Sequence, residues 1–104
     1  MKEKEYKIEK HILENGLKET FIGSIEKIVN EMSSFLRNKS FQDKIVIKIK
    51  CDHSKEITMD DIGLINDVIQ KEMHNNASIV MNIEENDVVE NNDYELSLYY
   101  LIEK

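Results

Sequence analysis

The 104-residue sequence contains no proline and no tryptophan, only three glycines and a single cysteine. One cysteine excludes a disulfide bond within the chain. Because there is neither proline nor a glycine-rich stretch to mark a linker, we expect residues 1–104 to form a single domain. No apolar run approaches the roughly 18 residues that span a membrane, and the first residues do not resemble a signal peptide. We therefore expect a cytoplasmic protein.

The charge balance is acidic: 21 acidic and 14 basic residues give a formal net charge of −7. Nucleic acids and anionic membranes are bound by basic surfaces, so neither is expected as a partner. No glycine-rich run is available to bind phosphates. We accordingly expect no cofactor, no metal and no catalytic residue.

The spacing of apolar residues predicts the element order β-α-β-α-β-β. Strict alternation predicts a first strand over residues 6–12, and apolar residues three and four apart predict a helix over residues 17–36. The clearest strand covers residues 44–51, and a second helix is expected to begin at Thr58, with Gly63 allowing close packing against a neighbour. Two final strands lie near residues 79–83 and 94–102, joined by a polar hairpin loop.

These elements predict an α/β fold of the α+β type, a two-layer sandwich. In it a four-stranded mixed sheet has both helices packed on one face. Right-handed crossovers make the first three strands at least partly parallel, and the last two strands are expected to pair as an antiparallel hairpin. A ferredoxin-like order is the nearest alternative, but it requires two strands between the helices, and residues 38–57 contain one convincing strand.

Three clusters have a possible chemistry, and each has a simpler structural interpretation. Cys51-Asp52-His53 could bind a metal or form a nucleophile, but a buried Cys51 acting as a small apolar residue is favoured. Asp60-Asp61 could bind a cation, but capping of the second helix explains them. Residues 84–93 are rich in carboxylates and lack calcium-loop spacing, so a solvated loop is favoured.

The sheet face opposite to the helices is the candidate partner surface. It would present Val46, Lys48, Lys50, Val80, Asn82, Ser97, Tyr99 and Leu101. This mixture is more apolar than a fully solvated surface requires, and exposed apolar patches mark contacts. We predict a partner surface formed by Val46, Lys48, Val80, Tyr99 and Leu101. The alternative is that scattered apolar residues on a sheet surface are normal.

Residues 44–102 resemble the C-terminal domain of FtsZ-type cell-division GTPases in the tubulin superfamily. The resemblance rests on the strand 45–51, the acidic helix start at 57–62, the segment Asn76-Ala-Ser-Ile-Val-Met81 and the alternating strand 94–102. The upstream strand and long helix also match that domain's layout. The sequence departs from the family at Asp52-His53 and at Asn82, where glycines are usual. The resemblance implies this fold and an association with division or cytoskeletal machinery, but not GTP hydrolysis, because the nucleotide-binding domain is absent.

The functional prediction is a non-enzymatic protein-interaction module, an accessory of an FtsZ-like cytoskeletal or cell-division system. It would self-associate or bind another protein, a polymerising FtsZ-type GTPase being the specific expectation. A degenerate remnant, or a domain that associates with a separately encoded nucleotide domain, is a further alternative. From a different class, a small oligomeric enzyme or ligand-binding protein would have a chorismate-mutase-like two-layer fold and a site between subunits. Such sites bind anionic substrates with arginines. Arg37 is the one arginine in the sequence, which counts against this alternative.

Overall fold

The computed structural model describes residues 10–37, 41–52, 56–85 and 94–102. Helix α1 includes residues 10–15. The elements that follow are, in order, β1 Leu17–Gly23, α2 Ile25–Leu36, β2 Lys44–Cys51, α3 Met59–Glu72, β3 Ser78–Glu85 and β4 Tyr94–Tyr100. From β1 onward this is the predicted order of elements.

The four strands form one mixed sheet in the order β1-β4-β2-β3. β2 and β3 are parallel, whereas β4 runs antiparallel to both of its neighbours, β1 and β2. The first three strands therefore point in the same direction, in agreement with the prediction that they are at least partly parallel. The four-stranded mixed sheet of an α+β sandwich is thus confirmed.

The predicted hairpin between the last two strands is wrong, because β3 and β4 are not neighbours. β4 lies between β1 and β2, while β3 pairs with β2 alone. The reason is burial: Leu96 and Leu98 of β4 are completely inaccessible, whereas Ile83 of β3 is 43% exposed. A strand rich in apolar residues is stabilised most by a central position in the sheet, because its side chains are buried there. The predicted loop over residues 84–93 lies, from residue 86 on, outside the described residues.

The first two predicted elements also need correction. Residues 10–12 of the predicted strand 6–12 are helical, and residues 6–9 lie outside the described part of the chain. The predicted helix over 17–36 is a strand followed by a helix, with the break at Gly23 and Ser24. Gly23 has φ +144°, and the Ser24 side chain accepts a hydrogen bond from the Lys27 amide as the N-cap of α2. Leu17 and Phe21 lie four residues apart, a spacing that fits both an alternating strand and a helix.

The main core lies between the helices and one face of the sheet, the inner face. The sheet residues predicted to face the helices do so: Ile45, Ile47, Leu96 and Leu98 are fully buried in it, and Ile79 and Met81 pack against it. Helix α2 contributes the buried stripe Ile25, Ile28, Met32 and Leu36, so its apolar face is core rather than a coiled-coil seam. Four rings, Phe21, Phe35, Phe41 and Tyr100, pack edge-to-face or stacked at one end.

Helix α3 begins as predicted at a capping box. The Thr58 hydroxyl accepts from the Asp61 amide, and the Asp61 carboxylate accepts from the Thr58 amide. Asp61 is therefore a capping residue. The close packing of a neighbour against Gly63, predicted from the sequence, is not seen, because a Cβ placed at Gly63 would meet nothing within 4 Å. Within the described ranges, no helix has the length and apolarity to cross a membrane.

Candidate functional site: the outer face of the sheet

The outer face, opposite to α2 and α3, is formed by alternate residues of all four strands. The strand register arranges them in rows. One row contains Lys18, Tyr99, Val46 and Val80. The next row contains Thr20, Ser97, Lys48 and Asn82. A third begins at Ile22 and continues through Glu95, Lys50 and Glu84. The face is therefore apolar toward one end and polar toward the other.

Val46, one of the predicted partner residues, is not exposed on the outer face. It is 0% exposed, Ile12 of α1 is 1% exposed, and neither belongs to the main core cluster. Gly16, which joins α1 to β1, lies against β4, because a Cβ there would come 2.7 Å from the Tyr100 carbonyl oxygen. We infer that α1 and Gly16 cover this end of the outer face. Val80 and Leu101 are partly buried.

The polar end of the outer face contains a shallow groove of about 250 Å³. All four strands contribute to it. Its lining consists of three lysines, two glutamates, two hydroxyl residues and one aromatic ring: Lys18, Lys48, Lys50, Glu84, Glu95, Thr20, Ser97 and Tyr99. In a chain of net charge −7, this groove has more positive than negative side chains.

Two of the lysines lie on either side of Tyr99. The Lys18 Nζ is 5.7 Å and the Lys48 Nζ is 5.9 Å from the centroid of the Tyr99 ring, which is within cation–π range. Lys50 instead forms an ion pair with Glu95, with 3.7 Å between Nζ and Oε2. Within the described residues, Lys18 and Lys48 have no ion pair. Two of the three cations are therefore available to an external anion.

The floor of the groove provides hydroxyl groups. Thr20 Oγ1 and Ser97 Oγ are 3.3 Å apart and form a hydrogen bond between β1 and β4. Ser97 is 8% exposed, so its hydroxyl lies at the base of the groove. The Tyr99 hydroxyl makes no hydrogen bond to any described residue. The groove can thus offer a ligand hydrogen-bond donors as well as positively charged side chains.

Sequence reasoning found part of this site. It placed Lys48 and Tyr99 on the outer face, where the structure brings them together. It missed Lys18 and Thr20, because they were assigned to a helix. The signal that could have found them is the Gly23-Ser24 pair, which combines a helix breaker with an N-cap residue and marks a strand before it.

The other clusters remain structural in the described part of the chain. Cys51 is 1% exposed and belongs to the main core, in agreement with its interpretation as a small apolar residue. Its predicted neighbour His53 lies outside the described residues. Asp60 is exposed in the first turn of α3. Among the described residues, no three His, Cys, Asp or Glu side chains come together as metal ligands would.

Comparison with known proteins identifies the fold. An empty FtsZ dimer from M. jannaschii matches with a TM-score of 0.59 and 15% identity, over 88% of this chain and 29% of that chain. A mutant of the same FtsZ matches with a TM-score of 0.58 and 15% identity, over 83% and 28%. No family model and no curated protein matches the sequence.

The likeness to FtsZ is one of fold. The chain spans less than a third of the FtsZ chains that it matches. The expected resemblance to one domain of FtsZ is therefore confirmed in three dimensions. At 15% identity this similarity does not by itself assign an activity.

Proposed function

We propose that this chain is a non-enzymatic, cytoplasmic protein-interaction module that associates with an FtsZ-type polymer through the outer face of its sheet. The fold supports this proposal, since it corresponds to part of a protein whose solved form includes a dimer. The matched segment covers 28–29% of FtsZ, and the sequence has no glycine-rich phosphate loop. We expect no GTPase activity from it.

The single observation that favours the outer face is its composition. The inner face is covered by α2 and α3, whereas the outer face has a groove lined in part by Tyr99, which is partly buried. Leu101, also partly buried, follows the end of β4. Aromatic and apolar side chains beside charged groups are typical of interaction surfaces. The proposed surface is therefore Lys48, Val80, Tyr99 and Leu101.

Co-sedimentation tests this proposal. The purified protein is mixed with the FtsZ-type GTPase of the same organism, with GTP or with GDP, and the pelleted fraction of each protein is measured. We expect the protein to pellet with GTP-dependent polymer and to remain in the supernatant with GDP. Equal recovery in both nucleotide states, at excess protein, would contradict the proposal.

A further inference from the structure

The two lysines beside Tyr99 lie together on the outer face of the sheet. Acidic residues outnumber basic ones by 21 to 14, yet Lys18 and Lys48 have no carboxylate partner among the described residues. Their positions on one ring place two positive charges on the same small surface. Like charges held close together raise each other's energy, and an anion placed between them removes that cost. The groove is thus arranged for negative charge.

We propose that Lys18 and Lys48 form a carboxylate-binding site for an acidic, extended segment of a partner protein. This inference rests on the proposed function and deepens it, because it names the chemistry of the partner that the outer face binds. Thr20, on the same strand as Lys18, and Ser97, the register partner of Lys48, provide hydroxyl groups beside the two lysines, and the Tyr99 ring lies between the lysines.

The spacing of the lysines favours an extended segment over a single small anion. They lie on β1 and β2, with β4 between them. Two strand spacings across the sheet and one two-residue step along it place their backbones roughly 12 Å apart. Alternate residues of an extended chain are roughly 7 Å apart and project on the same side. Flexible lysine side chains can therefore each reach one of two such carboxylates.

The negative side chains of the groove restrict the length of the anionic ligand that it can bind. Glu95 is held by Lys50, and Glu84 lies at the far end of the same row. A long polyanion such as a nucleic acid would run onto these carboxylates and onto the acidic remainder of the chain. A short acidic segment can contact Lys18 and Lys48 without reaching Glu84.

Fluorescence anisotropy with a labelled hexaglutamate peptide tests the site. The double variant Lys18→Gln/Lys48→Gln removes both charges. We expect it to bind the peptide about 10-fold more weakly than the wild type at low salt, since two exposed charge contacts together contribute about that factor. The matched control, Lys27→Gln/Lys71→Gln, removes the same charge from the exposed surfaces of α2 and α3. We expect its affinity to stay within about 2-fold of the wild type. Equal weakening in both variants, or no weakening in the first, would overturn the inference.

Competition separates a peptide site from a small-anion site. Inorganic phosphate is added to the wild-type complex, and sodium chloride of the same ionic strength is added to a second sample. We expect the two salts to displace hexaglutamate to the same extent, by screening. Selective displacement by phosphate would show a small-anion site and would overturn the assignment to an acidic segment.

Co-sedimentation with the lysine variant distinguishes this inference from the proposed function. If the wild type pellets with polymer and Lys18→Gln/Lys48→Gln pellets equally well, the carboxylate site fails while the proposed function stands. If the wild type binds hexaglutamate through these lysines but never pellets with polymer, the proposed function fails and the binding chemistry stands. Urea unfolding of both variants confirms that they are folded.

Discussion

The two faces of the sheet are built from the same four strands, but they are used differently. On the inner face, Ile45, Ile47, Leu96 and Leu98 are all fully buried against the helices. On the outer face, side chains of the same strands line a polar groove, and complete burial is seen at Val46. Apolar burial is therefore concentrated on the inner face, whereas much of the outer face carries polar side chains. Substitutions on each face of the sheet, and on α3 outside it, test this division.

The largest effect is expected from the inner face. Leu98→Ala removes a fully buried side chain and should lower the free energy of unfolding by about 3 kcal/mol. The adjacent residue faces outward, and Ser97→Ala should cost about 1 kcal/mol or less, since it removes one hydrogen bond to Thr20. Urea unfolding of the two variants measures both values. Equal costs would contradict the division between faces.

The next effect tests the covered end of the outer face. Val46→Ala should lower the free energy of unfolding by about 2 kcal/mol, because a fully buried Val loses two methyl groups. Val80→Ala is the matched control in the same row, and it should cost less than about 1 kcal/mol, because Val80 is partly exposed on the edge strand. Similar small costs for both would show that the chain around α1 does not bury Val46.

A smaller change of opposite sign is expected on the solvent side of α3, which belongs to neither face. Gly63→Ala should raise the free energy of unfolding by about 0.5–1 kcal/mol, because alanine favours the helix and its Cβ meets nothing within 4 Å. Gly16→Ala is the control and should destabilise, since its Cβ would lie 2.5 Å from the Ile12 carbonyl oxygen. Urea midpoints measure both effects. If Gly63→Ala destabilises the protein, this prediction is wrong and a neighbour packs closely against Gly63.

The smallest effect concerns charge on the inner face. Burial of the ring raises the pKa of the Tyr100 hydroxyl above its usual value, and the Glu19 carboxylate raises it further. The neutral hydroxyl is thus favoured in the folded state, so its contribution to stability is present below about pH 10 and is lost as the pH rises above that value. Tyr100→Phe should show a shallower loss of stability above pH 10 than the wild type, in urea unfolding at several pH values. Identical slopes would contradict this pKa assignment.

The sequence predicted those parts of the fold that depend on strong local patterns. The alternation in β2 and β4 and the Thr58 cap of α3 each have one physical interpretation, and the structure confirms them. The prediction of a helix over residues 17–23 is wrong, because spacings of four fit an alternating strand as well as a helix. The neighbours of β4 could not be predicted, since strand order depends on burial across the whole sheet rather than on adjacent residues.

The candidate site was only partly predictable for the same reason. Lys48 and Tyr99 follow from alternation within their own strands. Lys18 joins them only through the pairing of β1 with β4. The burial of Val46 depends on what packs against the sheet from outside β2, and the alternation within β2 does not contain that information.

The central claim is that the outer face, and not the helix layer, binds an FtsZ-type polymer. Two double variants test it in one co-sedimentation experiment with GTP. Tyr99→Ser/Leu101→Ser changes the outer face, and Met59→Ser/Leu64→Ser changes two exposed apolar residues of α3, which are 80% and 52% exposed. The account predicts that the first variant, while folded, no longer pellets with polymer, and that the second pellets like the wild type. Loss of pelleting in the α3 variant, with the outer-face variant unaffected, would contradict it.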